Sequence, residues 1–250
     1  MGHYIMCRRY GIDASPPYFI PFPSLVGTMG AFIRIREPFR TKTHLFDVGV
    51  AGPIAGFVVA LPILVYGMAH TRVNPGPIEG GTLIFHYPLL VTILQKLLLG
   101  STFTSLDVIE HPAFVAGWFG LFVTALNLVP IGQLDGGHAL YAIAGRHTRK
   151  IVLPLLAVVV GLGFKFAGWW FWAALLLIMG IRHPRLVDEE APLDPRRKAI
   201  ATLVFAMFVL CFTPVPIEES ADLPAGRPPV ERGGTVVHQL DLHRGTERPG

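Results

Sequence analysis

The chain has 250 residues, of which 52% are hydrophobic and only 15% charged, with a formal net charge of +4. Soluble domains carry about 25% charged residues, so this composition argues against a water-soluble enzyme and for a chain that meets lipid. Nucleic-acid binding is excluded as well, since no basic stripe interleaved with aromatics is found. Two cysteines, Cys7 and Cys211, rule out a disulfide framework.

In chain order, the start MGHYIMCRRYGID reads as the middle of a helix, with His3 almost at its first residue. No leader peptide is visible there. Segment 17–43 is broken by Pro17, Pro21 and Pro23 and carries Arg34, Arg36, Arg40 and Lys42. Its composition alone predicts an interfacial loop with cations at the headgroups. Apolar runs follow at roughly 48–69, 83–100, 112–131, 151–181 and 199–215. A helix needs about 20 apolar residues to cross a bilayer, and the first and third runs meet that length. GVAGPIAGF, 49–57, carries Gly49, Gly52 and Gly56, small residues that let helices approach closely.

The run 151–181 is too long for one ordinary span. Gly161, Gly163, Lys165 and Gly168 at its centre predict a hairpin of two short helices. Both flanks, 145–150 and 182–198, are basic, which places them together on the cytoplasmic side. Trp169, Trp170 and Trp172 read as part of an aromatic belt. These features predict an all-α polytopic membrane protein of about five to six transmembrane helices or half-helices. The membrane domain is expected over 1–215, followed by a disordered water-facing tail over 216–250, in which 235–242 is a candidate short strand.

Residues 113–145 do something costly. Asn127 enters an apolar run, Pro130 removes a backbone donor, and Asp135 follows near membrane depth before Gly136, Gly137 and His138. Broken helices are tolerated in membranes only where they line protein or water, and an intramembrane carboxylate points to a functional site. Asp135 as a simple helix cap is the bland alternative. Capping explains the Asp but not the whole cluster. A transporter whose half-helices coordinate ions is another class that such a break suits, although no inverted repeat is visible.

NLVPIGQLDGGH resembles the Asn-x-x-Pro-x-x-x-Leu-Asp-Gly motif of site-2-type intramembrane metalloproteases, matched by Asn127, Pro130, Leu134, Asp135 and Gly136. The stretches at 27–57, 111–127 and RHPRLVDEEAPLDPRRK resemble the bacterial and plastid branch of that family. The resemblance implies a zinc metalloendopeptidase that cleaves transmembrane protein substrates within the lipid bilayer. It implies Zn2+ as cofactor and a multi-pass setting, expected in a bacterial cytoplasmic membrane. It makes Asp135 a zinc ligand and His3 the second histidine of a His-Glu-x-x-His helix, whose histidines share a face while the Glu serves as general base. It gives Asn127 a substrate or oxyanion contact, against the ordinary alternative of an interhelical hydrogen bond. It implies a membrane-associated β-hairpin near 17–43.

The first His and the general-base Glu of the motif are absent from the 250 residues. Either translation starts upstream of Met1 and supplies them, the favoured reading because everything downstream keeps the family's pattern, or the chain is a catalytically dead relative that binds membrane partners. With only His3 and Asp135 as metal ligands, the 250-residue form is expected not to cleave. Cys7 reads as a small buried residue rather than a ligand, His111 as an interfacial residue before a helix-starting proline, and His138 as a partner orienting Asp135 or a local hydrogen-bonding group.

Overall fold

The computed structural model describes residues 1–21, 28–73, 83–100, 102–104, 108–180 and 193–219. The candidate strand at 235–242 and the RHPRL part of the basic linker lie outside them. The described chain is mostly helical, with three two-stranded antiparallel pairs, of which the reading from sequence expects only the one near 17–43.

Helix α1 covers Gly2–Arg9. Strands β1 (Tyr18–Pro21) and β2 (Thr28–Phe32) follow and pair antiparallel, Tyr18 opposite Phe32. A hairpin-like pair therefore forms inside the proline-rich segment, with its register shifted between Phe19 and Pro21.

Helix α2 runs from Lys42 to Ala69. Thr41 caps it by accepting from the His44 N–H at 3.2 Å. Its 28 residues make it about 42 Å long, and among the described residues it is the one helix long and apolar enough to cross a membrane. It is followed by β3 (Arg72–Val73) and β4 (Leu83–Phe85). The run 83–100 does not form one span. Pro88 disfavours helix in the residue before it, so the segment splits into β4 and an eleven-residue helix α3, Leu89–Leu99. Strand β5 (Val108–Ile109) pairs with β3.

Helix α4, Pro112–Asn127, packs antiparallel on α2, and the contact is built from small residues. A Cβ at Gly67 would strike the backbone at Phe114, one at Gly117 would meet Leu64 at 2.6 Å, one at Gly120 Ala60 at 2.7 Å, and one at Gly56 the Thr124 hydroxyl at 3.3 Å. Helices lacking a hydrophobic drive toward each other gain from such close backbone approach. Gly56 is therefore a packing residue, as its spacing predicts.

After the break come α5 (Asp135–Ala144), a single 3-10 turn (Gly145–His147), α6 (Thr148–Leu162) and α7 (Gly168–Met179). The last two pack on each other across a short turn, the hairpin expected from its glycines. The Trp170 ring fills the space a side chain at Gly163 would need, and its Nε1–H donates to the Val160 carbonyl at 3.2 Å. Trp169 departs from the belt reading. It is 2% exposed, and its Nε1–H donates to the Pro214 carbonyl, so burial with a satisfied donor takes it inside.

Helix α8, Pro195–Cys211, is capped by Asp194, which accepts from the Arg197 N–H at 2.9 Å. Strand β6 (Ile217–Glu219), assigned to the tail by composition, pairs instead with β4, and Ile217 packs on the core between α2, α3 and α4. An apolar residue with a ladder partner outweighs the polar composition around it.

Candidate metal centre

The centre forms where α1, α2 and the α4–α5 break meet. Helix α4 ends at Asn127, and Pro130 cannot continue it. The reversal that follows turns on Gly132, whose φ of +61° suits glycine. Gly136 and Gly137 serve close packing. Both lie in the first turn of α5, where a Cβ at Gly136 would strike the Leu128 carbonyl and one at Gly137 the carbonyls of Ile131 and Gly132. They let α5 start against the break itself. Asp135 is the first residue of α5, and the cap position belongs to Leu134, so capping does not account for the carboxylate. A negative charge in a first helical turn is favoured by the helix dipole.

Helix α1 delivers His3 to the same point. Its Nδ1–H donates to the Val48 carbonyl of α2 at 2.8 Å, and its Nε2 stands 3.4 Å from Asp135 Oδ2. The hydrogen bond assigns the proton to Nδ1, which turns the Nε2 lone pair toward a carboxylate. Two acceptors face each other, an arrangement that calls for a second proton or a cation between them. The donor set suits zinc. Two ligands each about 2.0–2.2 Å from a tetrahedral zinc stand roughly 3.3–3.5 Å apart, the separation observed. Among the described residues no group of three or more His, Cys, Asp or Glu lies close enough to hold a metal, so the candidate site there is the pair His3 and Asp135.

The other residues singled out from the sequence take quieter places. Cys7 is wholly buried beside Ile12 and Val48 and packs as an apolar side chain. His111 caps α4, its Nδ1 accepting from the Ala113 N–H at 3.1 Å ahead of Pro112. His138 sits one turn along α5, with its Cβ facing Gly49 and its ring 6.5 Å from that of Phe39. Asn127 lines an apolar cavity of about 760 Å³ between α2 and α4, together with Gly52, Gly56, Phe85, Val115 and Phe119.

Two contributors were not legible as site residues. The Val48 carbonyl orients His3, and a main-chain acceptor leaves no mark in a sequence. Gly52, read as a packing glycine, is the floor on which the His3 ring lies, for a Cβ there would overlap the imidazole. Its only signal was the absence of a side chain. Gly52→Val should therefore displace His3 and lower stability by about 1–3 kcal/mol through overpacking. Gly56→Ala, which meets only the Thr124 hydroxyl at 3.3 Å, should be mild. Thermal unfolding in detergent beside zinc retention tests the pair; equal behaviour of the two variants would remove Gly52 from the site.

A family model described as Peptidase family M50 matches residues 1–164, from α1 into the α6–α7 turn. The chain belongs to peptidase family M50. The stretch that defines this M50 member contains α1, α2 and the α4–α5 break, and so both His3 and Asp135. Similar proteins include "Probable zinc metalloprotease EGY2, chloroplastic" of Oryza sativa subsp. indica, 29% identical over 88% of this chain and 41% of its own length. The Arabidopsis thaliana protein of that description is 28% identical over 86% of this chain and 39% of its own. "Probable zinc metalloprotease EGY1, chloroplastic" of Oryza sativa subsp. japonica is 30% identical over 90% and 40%. This M50 chain thus spans about two fifths of the length of these relatives. Their chloroplastic descriptions lend no support to the bacterial cytoplasmic membrane expected from sequence. Membership of a peptidase family leaves the transporter reading without support.

Proposed function

We propose that this chain carries the larger part of the active centre of an intramembrane zinc metalloprotease, which hydrolyses a peptide bond within a transmembrane segment of its substrate. The observation that carries the proposal is the convergence of His3 Nε2 on Asp135 Oδ2 with Nδ1 held by Val48. His3 and Asp135 serve as two of the three protein ligands, and a His-Glu pair directly upstream of Met1, continuing α1, supplies the third ligand and the general base. Zinc in such a centre supplies Lewis acidity toward water and a peptide carbonyl. The Val48 carbonyl fixes the His3 tautomer. The apolar cavity receives substrate chain away from water, and the Asn127 amide in its wall donates to the substrate carbonyl as charge develops.

The chain is proposed to lie in a membrane through α2 as a full span, with the shorter apolar helices bringing the count to five or six. Segments 145–150 and 182–198 then share the cytoplasmic side. Two ligands among the described residues favour a second reading for the 250-residue form alone, namely binding of membrane partners without cleavage.

Chelation tests the proposal. The upstream-extended form, reconstituted with a transmembrane substrate, should lose cleavage in 1,10-phenanthroline and regain it with added zinc. Asn127→Ala should keep its zinc and lower kcat by about 10²–10³-fold. Cleavage indifferent to chelation would refute the zinc mechanism.

A further inference from the structure

We infer that Asp47 and Arg197 are positioning residues, which set the placement of His3 by gripping Tyr10 at the opposite end of its helix. Helix α1 packs along α2, and in proteins most helical stability comes from tertiary packing rather than from propensity. Its orientation therefore comes from what it docks against. At one end His3 is held by Val48 and the floor of Gly52. At the other end Tyr10, the residue that closes α1, donates its hydroxyl proton to the Asp47 carboxylate and packs its ring at a tilt, 4.3 Å from that of His44.

Asp47 immediately precedes Val48, so neighbouring residues of α2 hold both ends of α1. Arg197 of α8 completes the grip. Its Nε–H and Nη2–H donate to the two Asp47 oxygens at 2.9 and 2.6 Å, and Nη2 reaches the Tyr10 hydroxyl at 3.4 Å. Its Nη1–H donates to Asp194, the cap of its own helix. The Tyr10 hydroxyl can accept from Arg197 and donate to Asp47 at once, so the donor roles close without conflict.

An exposed ion pair would contribute little. Here Asp47 is 13% and Arg197 25% exposed, and the fork is bidentate with a third and a fourth partner. Such pairing adds geometric specificity beyond charge. Arg197 also lies beyond the 164 residues that the family model matches. The grip thus ties the ligand helix to a part of the chain outside the defining region. A misplacement of about 1 Å at a reacting centre can cost roughly 10²-fold in rate, so the bracing of this helix has a direct bearing on turnover.

The inference about α1 stands on geometry alone; its consequence for turnover rests on the metalloprotease reading, and the two are tested separately. Amide hydrogen exchange on the 250-residue chain in detergent should show α1 exchanging roughly 10-fold faster or more in Arg197→Met, the scale of a lost charged hydrogen bond. Exchange in α4 and α6 should be unchanged, and Arg197→Lys should fall between. Uniform acceleration of all helices would mean a merely structural role, and an unchanged α1 would mean no grip; either result overturns the inference. In the extended form, Arg197→Met should weaken zinc binding roughly 10-fold or more, toward the range known for residues that orient metal ligands, and lower kcat with KM unchanged. Zinc affinity equal to that of a zinc-binding parent would overturn it too. An extended parent without zinc or cleavage would instead count against the metalloprotease reading, leaving hydrogen exchange to decide the grip.

Discussion

A form extended upstream of Met1 by a helical His-Glu pair should cleave a transmembrane substrate, and the 250-residue form should be slower by at least about 10²–10⁴-fold. That range is what a positioned general base contributes, and it is a lower bound because a metal ligand is missing as well. A catalytic zinc site uses three protein ligands, and His3 and Asp135, 3.4 Å apart, are proposed as two of them. Helical geometry makes the prediction specific. A histidine four residues before His3 shares its helix face, and α1 begins at Gly2, so an upstream turn continues an existing helix. Shifting the inserted histidine by one residue should abolish the gain, because it rotates the ligand by about 100°. Quantitative cleavage with measured zinc content checks all three forms. An extended form no faster than the 250-residue form would assign this chain to a non-cleaving role.

Asp135→Ala in the extended form should lose zinc and cleavage together while the helices stay folded. Deleting the carboxylate removes a proposed ligand outright and takes away the group that His3 Nε2 faces. The cost to the fold is smaller. Asp135 does not cap α5, whose cap is Leu134, so the lost interaction is a carboxylate in a first helical turn, worth about 0.3–1 kcal/mol. Asp135→Asn separates charge from shape, since an amide fills the same space but is a poor zinc ligand; it should behave like Asp135→Ala for metal. Zinc content by mass spectrometry, with helical content by circular dichroism, reads the two effects apart. Full zinc retention in Asp135→Ala would disqualify Asp135 as a ligand and take the main support from the proposed function.

Much of this centre was legible because its cost is local. Asn127, Pro130 and Asp135 interrupt an apolar run, and a polar group in such a setting needs a reason wherever the helices pack. The α6–α7 hairpin was legible for a similar reason, since glycines at the centre of an overlong run mark a turn from the neighbouring residues alone. Asp47 was not singled out from the sequence, because its partners Tyr10 and Arg197 are distant in it. Trp169 and Ile217 misled because composition reports average surroundings. One buried hydrogen bond to Pro214 and one ladder to β4 decided their places.

By itself the sequence determined that the chain is apolar and that a helix breaks after Asn127, since both rest on residue chemistry and spacing over a few turns, and its resemblance to a protease family pointed to Asp135 and His3. Only the tertiary structure decided that His3 and Asp135 face each other, that the emptiness of Gly52 is the seat of an imidazole, and that Arg197 reaches back to Asp47. The physical reason is that side-chain encounters depend on which helices approach and how closely. In this fold that approach is set by small residues such as Gly117 and Gly120, whose contribution is the space they leave.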